Sequence, residues 1–399
     1  MQMNRRKFLT GVGTASGIAL AGCTGGPTES GGDGGDGGST PTSTPESTEA
    51  EATPTESGEG MGNETETDAE TATSTSSDPI NVGMVYATGG LGDGSFNDQA
   101  QQGIQQAESD LDISYNDAQP GSVSEFSNFQ QQFASSTDPT YELICCIGFL
   151  QESALSETAP DFPDQRFMIV DSAVDAENVA SYVFAEEEGS YLVGQLAGML
   201  TTREFSAGAG STTPDSTSVG FVGGVESPLI QKFQAGYEAG VAAANGDVEV
   251  QTSYVGDFNA PTAGREAALA MYNSGADVVY HAAGNTGTGV FQAAQEQGKF
   301  AIGVDRDQSI TKESFADVIL ASMVKRVDTA VYSSVEAVVN DSFDGGSTTA
   351  LGLDDEGISV AYGQQLGSEI PSEVTDAIAE SRQSIIDGDT SVPTDPSNV

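Results

Sequence analysis

Nearly continuous apolar runs alternate with segments of helical spacing through most of the chain beyond residue 78. Runs of this kind predict strands that are covered on both faces, as in the parallel sheets of α/β proteins. In the first half they predict strands over residues 80–87, 141–149, 166–171 and 179–185. They also predict a helix with Ser95 as its N-cap and a helix over EEGSYLVGQLAGMLT.

The same alternation restarts in the second half. It predicts strands in SVGFVGG, VEVQTSYVG, ADVVYHAAG and FAIGVD, and helices over residues 230–243, 262–273 and 289–297. Tandem α/β units place the C-terminal ends of their strands around a shared crevice, where ligands bind in such sheets. The predicted fold class is α/β, with two Rossmann-like parallel-sheet lobes, a hinge and a cleft. We assign residues 79–185 to lobe 1, completed by about 325–342, and residues 186–305 to lobe 2, completed by about 343–390.

The N-terminus has the features of an export signal. Arg5 and Arg6 predict a twin-arginine signal peptide over residues 1–22, whose apolar region is too short to span a membrane. The sequence LAGC resembles a lipobox and predicts that Cys23 becomes lipidated. We therefore expect an anchor on the extracellular face of the cell membrane.

The following segment, residues 24–78, consists almost wholly of Gly, Ser, Thr, Pro, Asp and Glu. It cannot bury enough apolar surface to offset the entropy cost of ordering. We predict a disordered linker that acts as a stalk for the folded part.

Charge narrows the functional classes. The chain has 60 acidic and 13 basic residues, a formal net charge of -47. Nucleic-acid binding is disfavoured, because counterion release needs clustered Lys and Arg. Repulsion among so many carboxylates is screened at molar salt, where the Debye length is about 3 Å. We interpret the composition as that of a halophilic protein.

Aromatic, polar and charged residues stand at the C-terminal ends of predicted strands in both lobes. Each has an ordinary interpretation by itself, since such residues also pack loops, cap helices and form surface ion pairs. Their shared position favours one binding site at the cleft. The candidates are Phe96, Asn97, Asp171, Phe258, Gly284, Asp305 and Lys325.

Catalytic machinery is not indicated. The single histidine, His281, leaves no Ser-His-Asp or Cys-His arrangement, and no cluster has the spacing of metal ligands. We interpret His281 as structural. Adjacent Cys145 and Cys146 lie within a predicted strand and are expected to face opposite sides of the core. We expect no enzymatic activity, no metal and no cofactor.

Several long motifs resemble the basic membrane protein (Bmp) family, among them GDGSFND, VGFVGGVESPLIQKFQAGYEAG, YVGDFNAP and MVKRVD. The resemblance covers residues 80–363 or so, nearly the whole folded part. It implies a type I periplasmic-binding-protein fold and the function of a substrate-binding lipoprotein that delivers a purine nucleoside to the permease of an ABC transporter.

The resemblance also implies roles for the candidates. Phe96 and Phe258 would sandwich the base, Asp305 would accept hydrogen bonds from the ribose hydroxyls with Lys325 nearby, and Asp171 would read a polar edge of the base. Gly284 would allow close backbone approach, and Asn97 would line the wall of lobe 1.

Two positions depart from the family pattern. Ala87 stands where family members usually carry an aspartate, and Gly94 where they often carry a lysine. The first change removes a carboxylate that reads the base and leaves stacking and sugar recognition intact. Two alternative functions stay open: a nucleoside-sensing co-receptor, and a nucleoside-processing enzyme that would use Asp93, Asp98 or Asp305.

Overall fold

A computed structural model describes residues 79–214 and 216–399. The predicted signal peptide, the lipidation site at Cys23 and the predicted linker lie outside these residues. Within the described ranges no helix is both long enough and apolar enough to cross a membrane.

The first part of the described chain forms the first five strands and three helices. The elements are β1 (Ile80–Val85), α1 (Phe96–Asp110), β2 (Ile113–Ala118), α2 (Phe126–Ala134), β3 (Leu143–Cys146), α3 (Glu152–Thr158), β4 (Arg166–Val170) and β5 (Val179–Phe184).

The second part repeats the alternation and adds a short hairpin. The elements are α4 (Glu186–Thr201), β6 (Ser206–Ala207), β7 (Gly210–Ser211), β8 (Ser218–Gly223), α5 (Pro228–Ala244), β9 (Glu249–Tyr254), α6 (Pro261–Asn273), β10 (Val278–Ala282), α7 (Gly287–Gln297), β11 (Phe300–Asp305), α8 (Gln308–Thr311) and β12 (Ile319–Lys325). The C-terminal elements are α9 (Val327–Val339), β13 (Thr348–Leu351), β14 (Ile358–Tyr362) and α10 (Ser372–Ile386).

Two six-stranded sheets form the cores of the two lobes. Lobe 1 has the strand order β13-β5-β4-β3-β1-β2, and lobe 2 has the order β14-β12-β11-β10-β8-β9. All neighbouring strands pair in parallel except β14, which runs antiparallel to β12. In each sheet the strand order reverses once, between β1 and β3 and between β8 and β10. Such reversal points open a crevice at the C-terminal ends of the strands.

The chain crosses between the lobes three times. The crossings are at Ala185 between β5 and α4, at Arg326 between β12 and α9, and at residues 352–357 between β13 and β14. Backbone hydrogen bonds join them, from Ala185 to Leu351 at 2.8 Å and from Arg326 to Gly357 at 2.9 Å. The three crossings therefore lie side by side, as a hinge requires.

The predicted completion of the lobes is wrong in part. Residues 343–390 were assigned to lobe 2, but β13 pairs in parallel with β5 at the edge of lobe 1. Lobe 2 also extends beyond residue 305, because β12 belongs to its sheet. β13 has no buried apolar run, since Thr348, Thr349 and Ala350 are exposed. The sequence pattern therefore did not indicate which sheet this strand joins.

The core has the two-faced packing expected of covered sheets. Cys145 packs in the cluster that includes α1 and α9, and Cys146 packs in the cluster that includes α2 and α3. Both thiols are free and fully buried. The prediction that the two cysteines face opposite sides of their strand is confirmed.

Candidate functional site

A cavity lies between the lobes, at the C-terminal ends of the strands and at both reversal points. It comprises about 650 Å³ of space between protein atoms, part of it open to solvent. That volume falls in the usual range of small-molecule sites. The structure brings all the candidate residues to its wall: Phe96, Asn97, Asp171, Phe258, Gly284, Asp305 and Lys325.

The loop after β1 is organised by Asp93. Its buried carboxylate accepts hydrogen bonds from the backbone N–H groups of Ser95 at 2.8 Å, Asn97 at 2.9 Å and Asp98 at 3.2 Å. The expectation that Ser95 caps α1 is wrong, because its side chain makes no capping hydrogen bond. Asp93, two residues earlier, satisfies the free N–H groups at the helix start instead.

Asn97 and Asp98 serve the same loop. Asn97 accepts a hydrogen bond from the Ala87 N–H at 2.9 Å through Oδ1 and donates one to Asp93 at 3.2 Å through Nδ2. Asp98 accepts from the N–H groups of Gly92 at 2.7 Å and Gly94 at 2.8 Å. Asn97 therefore lines the cavity while its polar atoms fix the shape of the loop.

Aromatic rings approach the cavity from both lobes. Phe96 begins α1 and is half-buried, with the Lys325 ammonium 5.2 Å from its ring centroid. Phe258 rests on Gly224, where a Cβ atom would lie 2.3 Å from the Phe258 ring. Phe149 of lobe 1 meets Phe258 edge to face across the cleft, with ring centroids 6.4 Å apart.

Gly284 lets the backbone lie close to Phe258. It has a φ of 55°, which favours glycine, and a Cβ atom there would lie 3.3 Å from the Phe258 carbonyl oxygen. The close approach is therefore to the loop that carries Phe258.

An ion-pair chain runs from the cavity towards the hinge. Lys325, which is 1% exposed at the end of β12, lies 2.7 Å from Asp171 and 3.1 Å from Glu186. Glu186 begins α4 and also pairs with Lys232 of α5 at 2.8 Å. Buried charges persist when they are paired in this way. These ion pairs tie the end of β4 in lobe 1 to two of the three hinge crossings, those at Ala185 and Arg326, and to α5 in lobe 2.

The two cavity carboxylates, Asp171 and Asp305, are each half engaged. Lys325 donates to Asp171 Oδ2, while Asp171 Oδ1 lies within ion-pair distance but has no hydrogen-bond partner. Asp305 Oδ2 accepts from the Ser95 hydroxyl of the opposite lobe. Among the described residues no group donates a hydrogen bond to Asp305 Oδ1. Asp305 Oδ1 is therefore available to further donors, whereas Asp171 Oδ1 lies 2.7 Å from the Lys325 ammonium without accepting a hydrogen bond of its own.

Burial is the main cause of the pKa shifts of Asp171 and Asp305. Burial raises the pKa of Asp305 to about 7, although Lys325 and the Ser95 hydrogen bond act in the opposite direction. Burial raises the pKa of Asp171 to about 6, again against the pull of Lys325. Burial alone would lower the pKa of Lys325, but Asp171, Glu186 and Asp305 outweigh it and raise that pKa. Lys325 is therefore a permanent cation beside two carboxylates that titrate near neutrality.

His281 lies outside the cavity wall and is fully buried. Its Nε2 pairs with Gln308 Oε1 at 2.9 Å, and its ring meets Phe291 edge to face at 5.1 Å. Burial lowers the pKa of His281 to about 4, which keeps it neutral. These contacts bear out the structural interpretation of this residue.

The structure adds site residues that the sequence reading overlooked. Phe149 lies three residues beyond the end of β3. The predicted strand extended to residue 149, so Phe149 was assigned to the strand and not to the loop that follows it. Glu186 stands immediately before the predicted helix EEGSYLVGQLAGMLT and was given no role in the site. Lys312 of lobe 2 occupies the space beside Gly94, where a Cβ atom would lie 2.5 Å from Lys312 Cε. Lobe 2 thus supplies a lysine near the position at which the family often carries one.

The part of the chain that the structure describes contains no candidate metal site. No group of three or more His, Cys, Asp or Glu side chains there is arranged to hold a metal ion.

Comparisons with known proteins find relatives over most of the described chain. The Bmp family, described as ABC transporter substrate-binding protein PnrA-like, matches residues 80–395. The ABC transporter nucleoside-binding protein BmpA of Lactococcus lactis subsp. cremoris is 32% identical over 333 residues, 79% of this chain and 89% of the relative. An uncharacterized lipoprotein of Pyrococcus abyssi is 31% identical over 291 residues, 70% of this chain and 68% of the relative.

A crystal structure shows the same architecture. The ABC transporter solute-binding protein of Aeropyrum pernix K1 gives a TM-score of 0.69 at 29% identity, covering 79% of this chain and 94% of that one. The fold is therefore the type I periplasmic-binding-protein fold, as the resemblance implied. The family is described as substrate-binding proteins of ABC transporters. With a family match across nearly all described residues, the chain belongs to the Bmp family of ABC transporter substrate-binding proteins.

Proposed function

We propose that the protein is a lipid-anchored extracellular receptor that closes its two lobes on a nucleoside and delivers it to an ABC permease. The observation that carries the proposal is the meeting of Phe96, Phe258, Asp305 and Lys325 at one interlobe cavity. Aromatic faces suit a planar base, and a carboxylate beside a lysine suits a hydroxylated sugar. The Lactococcus relative that is named for nucleoside binding supports the same substrate class.

Each end of a nucleoside has a complementary group. Base stacking on an aromatic side chain is worth about 1–3 kcal/mol per base and tolerates any base. Adjacent ribose hydroxyls would donate to the free oxygen of Asp305, in charge-assisted bonds stronger than neutral ones. Asp171 Oδ1 is a second unpartnered acceptor, suited to an N–H of the base.

Recognition of the base rests on few groups in this chain. Ala87 offers no side-chain acceptor. Both polar atoms of the Asn97 side chain beside it form hydrogen bonds within the loop. Among the candidates, Asp171 is then the main group that would form hydrogen bonds with the base. We propose that the receptor accepts purine nucleosides and tolerates variation at the base edge that faces Ala87.

The anchor and the route of export are proposals from the sequence. Cys23 would carry the lipid, and the linker would hold the lobes away from the membrane within reach of a permease. The Pyrococcus relative described as a lipoprotein supports an anchored protein. Cys23→Ser is expected to release the protein into the medium, and Arg5→Lys with Arg6→Lys to retain it inside the cell. Both are read by immunoblotting of cell fractions.

The test of the ligand is calorimetry in molar KCl against purine nucleosides, pyrimidine nucleosides, free bases and ribose. Phe96→Ala and Phe258→Ala are each expected to weaken nucleoside binding by about 1–3 kcal/mol, because each removes one stacking face. Phe162→Ala is the matched control. It is also half-buried, but it packs in lobe 1 away from the cavity.

Two results would contradict the proposal. The first is another solute binding while every nucleoside fails. The second is normal nucleoside binding by both phenylalanine variants, which would place the base elsewhere. Free base appearing after incubation with a nucleoside would favour the processing enzyme instead.

A further inference from the structure

One loop of lobe 1 docks on one short segment of lobe 2 at the edge of the cavity. The Gly94 carbonyl oxygen accepts hydrogen bonds from Thr311 Oγ1 at 2.8 Å and from Gln308 Nε2 at 3.3 Å. The adjacent Ser95 hydroxyl donates to Asp305 Oδ2. We call these five residues the latch: Gly94 and Ser95 from lobe 1, and Asp305, Gln308 and Thr311 from lobe 2.

The local structure is built for this contact. Gly94 has a φ of +63°, which turns the loop in a way that side chains disfavour. The turn leaves room for Lys312, which lies beside Asp93 and Asp98 of lobe 1. Gln308 is fully buried and also bonds within lobe 2, to the Val304 N–H at 2.9 Å through Oε1. Gln308 is therefore held in place within lobe 2 before the lobes meet.

Asp305 connects the latch to the cavity. Its backbone has a φ of 65°, and the residue is 5% exposed and lines the cavity. One carboxylate oxygen faces Ser95 of the opposite lobe, and the other has no donor among the described residues. When the lobes separate, Asp305 loses Ser95, which would leave the carboxylate without its one side-chain donor from lobe 1.

We propose that Ser95 is a positioning residue that orients Asp305 from the opposite lobe, so that ligand recognition at Asp305 and closure of the cleft occur together. The inference deepens the proposed nucleoside function and rests on it for the identity of the ligand. Ser95 does not line the cavity. It acts through Asp305, and Gln308 and Thr311 hold the neighbouring Gly94 in register. A hydroxylated ligand then binds the closed form better than the open form, which is the condition for a ligand to shift the population.

The first test uses a latch residue that lies outside the cavity wall. Thr311→Val removes the hydroxyl that bonds Gly94 and keeps the shape of the side chain. We expect guanosine to dissociate about three- to tenfold faster, because one hydrogen bond of the closed form is lost. Thr375→Val is the matched control, since Thr375 is equally half-buried and bonds within its own helix, to the Ser372 carbonyl at 3.0 Å. The measurement is stopped-flow dissociation of guanosine in molar KCl.

The second test separates positioning from a merely structural role. Ser95→Ala should weaken guanosine binding about tenfold, since the lost bond is to a charged acceptor. It should also move the pH midpoint of binding upward, because Asp305 loses a donor that favours its ionised form. Lys325, Asp93 and Asp171 also face this carboxylate and are unchanged. A packing defect would lower the thermal midpoint without moving the pH midpoint.

The third test needs no nucleoside. Spin labels on Glu108→Cys in lobe 1 and Glu266→Cys in lobe 2, both exposed positions, report the distance between lobes. Ser95→Ala and Thr311→Val are expected to reduce the closed fraction, and Thr375→Val to leave it unchanged. If wild-type protein fails to bind nucleosides but the latch variants still reduce the closed fraction, the proposed function is contradicted and the latch is supported. Unchanged interlobe distances together with unchanged guanosine dissociation in both latch variants would overturn the latch.

Discussion

At the residue scale, the role proposed for Asp305 predicts that the affinity for the ligand depends on pH. Its pKa in the free protein is raised to about 7, chiefly by burial. Ribose hydroxyls make stronger, charge-assisted hydrogen bonds to the ionised carboxylate than to the protonated carboxyl, so binding favours release of a proton wherever the free carboxyl is protonated. The association constant is therefore expected to be constant well above pH 7 and to fall below it, by up to about tenfold per unit of pH. Titration calorimetry with one nucleoside between pH 5.5 and 8.5 measures this dependence.

Two variants control the pH experiment. Asp305→Asn cannot ionise, so its affinity should be lower at pH 8 and nearly flat between pH 6 and pH 8. Asp171, whose pKa is raised to about 6, should steepen the loss only below that pH. An unchanged pH profile in Asp305→Asn would show that another group is responsible.

The same scale shows how far the site could be predicted. Residues at the C-terminal end of a buried strand, such as Asp305, were found because the apolar runs show where such strands end. Ser95 was misread because its position before a helix is also that of a cap. Its bond to Asp305 joins residues 210 positions apart, and no local pattern encodes such a distance. Phe149 was lost through an error of three residues in a strand boundary.

At the element scale, glycines set the closest helix contacts. A Cβ atom at Gly240 of α5 would lie 2.0 Å from the Tyr191 carbonyl oxygen of α4, and one at Gly236 would lie 2.1 Å from the Glu187 oxygen. In lobe 1, α1 approaches α9 in the same way, with a Cβ atom at Gly103 2.4 Å from the Asp328 oxygen. Because the helices touch through backbone atoms at these glycines, no flexible side chain could move aside to make room for a Cβ atom.

This packing gives a prediction whose sign opposes helix propensity. Alanine is favoured over glycine within a helix by about 1 kcal/mol, yet Gly240→Ala forces α4 and α5 apart. We expect the free energy of unfolding to fall by about 1–3 kcal/mol, measured by urea denaturation in molar KCl. Gly246→Ala is the control, because a Cβ atom there meets nothing within 4 Å. Equal stability of Gly240→Ala and wild type would mean that the helices can separate at no cost.

Among the strands, sequence reasoning missed β2 and β13 at the sheet edges, although it found the edge strand β9. β2 was not predicted, since its middle residues from Tyr115 to Asp117 are half-buried or exposed and show no apolar run. β13 was missed for the same reason. Central strands such as β11 are buried along their whole length and were found. An edge strand is specified by the neighbour it pairs with, which lies far away in sequence.

At the scale of the whole molecule, three crossings join the two lobes. The hydrogen bonds of the latch and a buried ion-pair chain hold the lobes together across the cleft. The lobes must open to admit a ligand, so these contacts have to be broken and remade in each cycle. A net charge of -47 acts on every one of these steps. Repulsion between acidic surfaces favours separation of the lobes and unfolding of each, and salt opposes both.

The charge gives the last prediction, that stability depends on screening. Raising KCl from 0.1 to 1 M shortens the Debye length from about 10 to about 3 Å. We expect at least about 2 kcal/mol of added stability, or roughly 4–8 °C in thermal midpoint, followed by a plateau once the repulsion is screened. Scanning calorimetry across a KCl series measures it. Sucrose at matched osmolarity stabilises by exclusion from the surface without screening charge, so it should give a smaller rise in 0.1 M KCl. An equal rise in sucrose, or a midpoint that ignores KCl, would remove the electrostatic explanation and with it the interpretation of this chain as halophilic.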